Sequence, residues 1–108
     1  MSEMPAANLS ATQLRMLFAH RGDAFNSLTW SPDSRIIATG SEDSNIRLWD
    51  IESGRLVRTL DGHQGWVRSV AWSGDGQWLA SGADDRTVRL WDVESGTEIA
   101  VYPSSSTV

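Results

Sequence analysis

A nine-residue phrase occurs twice in this chain, as EDSNIRLWD from Glu42 to Asp50 and as DDRTVRLWD from Asp84 to Asp92. A shift of 42 residues aligns the two without a gap, and between Ser27 and Gly54, 14 of 28 positions are identical to their partners at Ser69 to Gly96. Trp30 falls on Trp72, Asp33 on Asp75, Gly40 on Gly82, Asp43 on Asp85 and Trp49 on Trp91. Self-similarity at this period marks a stacked or radial architecture, in which one unit cannot bury its own apolar faces. The constraint is severe in a chain of 108 residues, because a fold of this size buries only about two thirds of the surface its unfolded form exposes.

Within the second unit, VRSVAW (Val67 to Trp72), QWLASG (Gln77 to Gly82), TVRLWD (Thr87 to Asp92) and TEIAVY (Thr97 to Tyr102) are short runs rich in β-branched and aromatic residues, which predict four strands. SGDG, ADD and ESG lie between them and are dense in turn-forming residues. Connections this short require an antiparallel meander. Alternation along the first strand puts Val67, Ser69 and Ala71 on one face and Val70 and Trp72 on the other. Both faces are apolar enough to be covered, whereas a sandwich sheet would show one wet face. Of six tryptophans, Trp30, Trp49, Trp72, Trp78 and Trp91 sit in these apolar runs and are expected in the core.

The pattern Gly62-His63, then SGDG, LASG (Leu79 to Gly82) and DDRTVRLWD resembles a blade of the WD-repeat β-propeller family. The first unit, with SPDS, IATG and EDSNIRLWD, is similar, and the likeness covers Leu14 to Tyr102. The resemblance implies an all-β fold: two four-stranded antiparallel propeller blades plus one extra N-terminal outer strand. The expected divisions are a flexible tail at 1–12, an outer strand of a preceding blade with the first blade at 13–60, the second blade at 61–102, and a Ser/Thr-rich tail at 103–108.

The resemblance also implies a hydrogen-bonded relay in each blade, through His63, Asp85, Ser81 and Trp91 in the second and His20, Asp43, Thr39 and Trp49 in the first. An indole N–H only donates, a carboxylate only accepts, and His, Ser and Thr do both, so these residue types can satisfy one another when buried. The first unit departs from the pattern with Ala19-His20 in place of Gly-His and a following loop one residue longer. Asp50 and Asp92 are read as turn or strand-end residues.

Other chemistry finds little support. Ser81, His63 and Asp85 are the residue types of a hydrolase triad, but nucleophilic catalysis needs an exposed serine beside an oxyanion hole, and the resemblance sets a tryptophan beside Ser81. The two histidines fall in separate units, and the acidic pairs Glu42-Asp43 and Asp84-Asp85 lack the spacing of a calcium loop, so no metal and no cofactor is expected. No phosphate-cradling glycine loop with its lysine appears. A formal net charge of -5 disfavours nucleic acid and anionic membrane surfaces. With no cysteine, thiol and disulfide chemistry is excluded. The apolar run Met16 to Ala19 is far too short for a signal core or a membrane span, which makes the cytoplasm the default location.

What remains is surface. In propellers of this family, contacts concentrate where the first strand begins and just before the hairpin aspartate, which by position means Trp66, Arg68 and Asp84, with Ala24, Asn26 and Glu42 in the first unit. The expected function is a protein–protein interaction scaffold without chemistry of its own. The alternative is a structural fragment of a larger WD-repeat protein with no independent binding. Two smaller signals are the ending SSSTV, which has the form of a C-terminal ligand for a PDZ-type groove or of a truncated chain, and the little-patterned opening MSEMPAANLSATQ. Propeller rings need at least about four blades and two units cannot close one. The strand order, with outer strands at Gln13 to Phe18, Arg55 to Leu60 and Thr97 to Tyr102, holds one outer strand too many. The ring is therefore incomplete unless the chain is oligomeric or part of a longer one, and exposed flanks are expected to drive self-association.

Overall fold

The computed structural model describes residues 25–104. These form β1 (Phe25–Trp30), β2 (Ile36–Ser41), β3 (Asn45–Asp50), β4 (Leu56–Asp61), β5 (Val67–Trp72), β6 (Trp78–Ala83), β7 (Thr87–Asp92) and β8 (Thr97–Pro103). The strands make two antiparallel four-stranded meanders, β1-β2-β3-β4 and β5-β6-β7-β8. The fold is thus all-β, with β5 and β7 where the sequence predicts them and β6 displaced by one residue. The strand expected at 13–18, the opening tail, His20, Ala24 and the last four residues lie outside the described residues.

Each turn is closed by its own side chains. In the β1–β2 turn the Ser31 hydroxyl donates to Asp33 Oδ1 at 2.6 Å and accepts from the Ile36 amide at 3.0 Å, while Asp33 accepts from the Arg35 amide. The β5–β6 turn repeats this with Ser73, Asp75 and the amides of Gln77 and Trp78. In both, the serine hydroxyl holds the aspartate below the usual carboxylate range. Asp50 and Asp92 cap the turns that follow β3 and β7, accepting from the amides of Glu52 and Ser95.

The two matching turns differ at one position of unusual backbone geometry: Ser34 has φ 62°, and its counterpart Gly76 has φ 75°. A side chain in the left-handed region costs roughly 1–2 kcal/mol, partly offset by the freedom that glycine adds to the unfolded chain. Ser34→Gly is therefore expected to stabilise the protein by about 0.5 kcal/mol, read as a higher urea midpoint with unchanged slope. A lower midpoint would show that the Ser34 side chain contributes more than the backbone costs.

One face of the first sheet packs against the second sheet. Ala38, Ile46, Leu48 and Leu60 from β2–β4 join Val67, Leu79, Ala83 and Trp91 in one buried cluster. Polar contacts tie the sheets at their margins: the Trp72 indole donates to the Thr29 carbonyl at 3.3 Å, and the Arg58 guanidinium donates to the Glu94 carbonyl at 2.8 Å. On the other face of the first sheet, Ile37 and Trp49 form a second buried group with Leu28, Trp30 and Ile51 against them.

Two expectations are corrected. Val67 does not share a face with Ser69 and Ala71: the register shifts between Val67 and Ser69, so Arg68 is the extra residue of a bulge. The bulge turns Val67 to the side of Val70 and Trp72, where it is fully buried, and leaves Ser69 and Ala71 exposed. Nor is Trp78 a core residue, for it is 48% exposed. It stands on the same face as Ala80, the side of the second sheet turned away from the first. Its counterpart Ile36 lies on the face that the second sheet covers and packs against the core.

Candidate functional site

In the second sheet, His63, Asp85, Ser81 and Trp91 form one continuous hydrogen-bonded chain. The Trp91 indole N–H donates to Ser81 Oγ at 2.9 Å, His63 Nε2 lies 2.7 Å from the same oxygen, and His63 Nδ1 lies 2.9 Å from Asp85 Oδ2. Since the indole only donates and the carboxylate only accepts, every group is satisfied when Ser81 donates to Nε2 and a neutral His63 carries its proton on Nδ1. His63, Ser81 and Trp91 are all nearly inaccessible, at 4%, 2% and 1% exposure.

The backbone explains why these residues meet. Ser81 and Trp91 stand on neighbouring strands of one sheet face, while Asp85 sits in the β6–β7 turn and reaches back over the loop that carries His63. That loop must come close: a Cβ on Gly62 would lie 2.9 Å from the Trp91 ring. The glycine before His63 is thus a requirement of contact with the tryptophan.

Asp85 is the hub. It also accepts from the Gln64 amide at 2.9 Å, from the Thr87 amide at 3.0 Å and from the Thr87 hydroxyl at 2.7 Å. Burial alone pushes its carboxyl up, but the Gln64 amide, the Thr87 hydroxyl and the hydrogen bond from His63 outweigh burial and hold it well below the usual carboxylate range. Thr87 and Arg89 were not among the residues picked out from the sequence, although Arg89 bridges Thr87 and Glu98. The available signal was the Arg shared by both copies of RLWD.

In the first sheet the Trp49 indole donates to Thr39 Oγ1 at 3.2 Å. Asp43 pairs with buried Arg47, which also donates to Ser41 Oγ at 3.2 Å. His20, the remaining member, is outside the described residues. Arg89 lies 3.7 Å from Asp85, as Arg47 pairs with Asp43, but the counterpart of Ser41 is Ala83, and Arg89 donates to Glu98 where Arg47 donates to the serine.

As chemistry, Ser81, His63 and Asp85 make a static network. The Ser81 oxygen already holds the Trp91 proton in the core, where an acyl substrate has no approach. Among the described residues no group of three or more His, Cys, Asp or Glu is placed to hold a metal ion, and no helix is long and apolar enough to cross a membrane.

The surface residues do come together. Arg68 donates to both carboxylate oxygens of Asp84, at 2.9 and 3.0 Å, with its guanidinium 4.9 Å from the centre of the Trp66 ring. Trp66 is 42% exposed. The Asp84 hydrogen bonds and charge, joined by the charge of Glu42, raise the Arg68 guanidinium above its ordinary value. Glu42, in the turn between β2 and β3, acts on Arg68 through its charge alone. Asn26, also from the first sheet, donates to the Val67 carbonyl at 3.4 Å beside it. Ala24 is outside the described residues.

Comparison with known proteins gives a consistent answer. The family described as "WD domain, G-beta repeat" matches residues 11–50 and 54–92. The nuclear distribution protein nudF of Aspergillus flavus is 44% identical over 66 residues, 61% of this chain and 14% of that protein. The general transcriptional corepressor TUP1 of Saccharomyces cerevisiae is 50% identical over 38 residues, 35% of this chain and 5% of that protein. The solved structure of U3-55K superposes with a TM-score of 0.76 at 27% identity, covering 80% of this chain and 28% of that one. The chain thus spans a small fraction of the length of the relatives it matches. The second matched segment takes in β4 together with β5, β6 and β7, although β4 is hydrogen-bonded in the first sheet.

Proposed function

The chain belongs to the WD-repeat family, and from that premise we propose that it is a protein-interaction scaffold module of two propeller blades, with no chemistry of its own, acting in the cytoplasm. The reading rests above all on the group of Trp66, Arg68 and Asp84. A large exposed indole is held against an arginine whose own charge is engaged by Asp84. Tryptophan and arginine are the residue types that most often anchor protein interfaces, and a side chain fixed before binding loses little freedom on contact.

A second reading, a structural segment of a larger WD-repeat protein with no independent binding, is favoured by the small share of each relative that this chain spans. One experiment separates the two. Peptides selected from a displayed library against the whole chain are expected to lose affinity tenfold or more when Trp66→Ala is introduced, about 1.4 kcal/mol or more. Arg68→Ala is expected to weaken them as well. A library that yields no binder, or binders whose Kd is the same for both variants and the parent, favours the second reading.

A further inference from the structure

The loop from Gly62 to Trp66, between β4 and β5, carries the exposed indole, and it is fastened at both ends to two adjacent residues of the β6–β7 turn. The Asp84 amide donates to the Trp66 carbonyl at 2.9 Å, and the Asp84 carboxylate takes the Arg68 guanidinium that lies over the indole. Asp85 holds the earlier part of the loop, with His63 Nδ1 and the Gln64 amide each 2.9 Å from its Oδ2. Between these points the fit is close. A Cβ on Gly65 would lie 2.8 Å from the Asp85 nitrogen and 3.1 Å from the Asp84 carbonyl carbon.

The two oxygens of the Asp85 carboxylate have separate tasks. Oδ1 accepts from the Thr87 amide and hydroxyl, at 3.0 and 2.7 Å, which fixes the carboxylate to its own turn. Oδ2 faces the loop and takes both of its donors. A carboxylate accepts on both sides, whereas an amide of the same shape presents donors on one of them. With Asn at position 85, one of two backbone amides, that of Gln64 or that of Thr87, faces a donor where it now meets an acceptor.

We propose that Asp85 is the positioning residue of the Trp66 surface: its carboxylate, joined through His63 and Ser81 to the buried Trp91, fixes the loop that carries the indole. The buried hydrogen-bonded chain thereby sets the geometry of an exposed group that a partner would meet. An indole on a loosened loop has to be ordered again by each partner, at a cost in affinity. That consequence for binding rests on the reading of Trp66 as an interface anchor, whereas the placement of the indole is measured on the free protein.

Proton–nitrogen correlation spectra of the full chain at neutral pH, with the Trp66 indole signal identified by Trp66→Phe, test it. Asp85→Asn and Gly65→Ala are each expected to shift that signal and to speed hydrogen exchange of the Gln64 amide roughly tenfold or more. Gly65→Ala keeps every member of the buried chain and presses the loop off the turn with its added methyl group, so it decides the matter even where Asp85→Asn does not fold. Asp75→Asn controls for lost stability alone. It removes a turn carboxylate of the same chemistry at the opposite end of β6, and is expected to leave Trp66 and Gln64 unchanged. Peptides selected against the parent are expected to bind Gly65→Ala roughly tenfold more weakly. A Trp66 signal unmoved by both variants, or moved as far by Asp75→Asn, overturns the proposal. A displaced indole with undiminished peptide affinity upholds positioning by Asp85 and counts instead against Trp66 as the anchor of binding.

Discussion

Trp91→Ala is expected to leave the chain largely unfolded at neutral pH. The indole is 1% exposed and packs in the cluster that joins both sheets, so its loss opens a cavity at the junction between them. Truncating a buried tryptophan costs about 3–5 kcal/mol, against a total of roughly 5–15 kcal/mol for a domain of this size. The variant also leaves Ser81 without the donor that it meets at 2.9 Å. Trp91→Phe divides the two contributions, keeping most of the ring and losing the N–H, for about 1–3 kcal/mol. Urea denaturation followed by circular dichroism measures both, and a Trp91→Ala midpoint close to the parent's would contradict the central position given to this residue.

Acid sensitivity provides the second large effect. The Asp85 carboxyl is held well below its ordinary value in the folded protein, so in the interval between folded and unfolded values the unfolded chain binds more protons. Stability from this group is therefore fully present above about pH 4, the ordinary aspartate value, and is lost as the pH falls toward the folded value. Asp85→Asn is expected to be less stable at pH 7, because an amide cannot accept from His63, Gln64 and Thr87 together. Its loss of stability between pH 5 and 2 is expected to be shallower than the parent's. Parallel acid limbs for parent and variant would show that Asp85 is not the group responsible. Removing the carboxylate altogether, as Asp85→Ala, costs about 3 kcal/mol or more by leaving several buried donors without an acceptor.

These consequences were legible in the sequence to different degrees. The strands were, because β-branched and aromatic runs alternate with turns dense in Gly, Asp and Ser, and because a gapless repeat forces both sheets into one register. The group formed by His63, Asp85, Ser81 and Trp91 was reachable only through the resemblance, since spacing along the chain does not say which side chains meet. Thr87 and Arg89 escaped notice because strand residues of mixed polarity are common on any sheet. The bulge at Arg68 was hidden because Val67 continues the alternation of Ser69 and Ala71 on paper; only the pairing with β6 shows the extra residue. Trp78 was misplaced for a different reason. Its residue type suits a core, yet the surface that would cover it is no part of the described chain. The contact of Asn26 with the Val67 carbonyl depends on how one sheet sits on the next, which no local pattern encodes.

The mismatch between the repeated segment and the sheets has a consequence for how such a gene can change length. The repeat in the sequence begins one strand early, so that β4 is copied with the second unit and folds with the first. The most similar stretch, Ser27 to Gly54 against Ser69 to Gly96, ends before either outer strand begins. An unequal exchange anywhere in that stretch joins the start of one sheet to the end of its sibling and keeps β4 or β8 downstream of the junction. The shortened product has one complete sheet and the lengthened product three, each closed by an outer strand. Misaligned recombination therefore adds or removes whole blades and never strands a sheet with a missing edge.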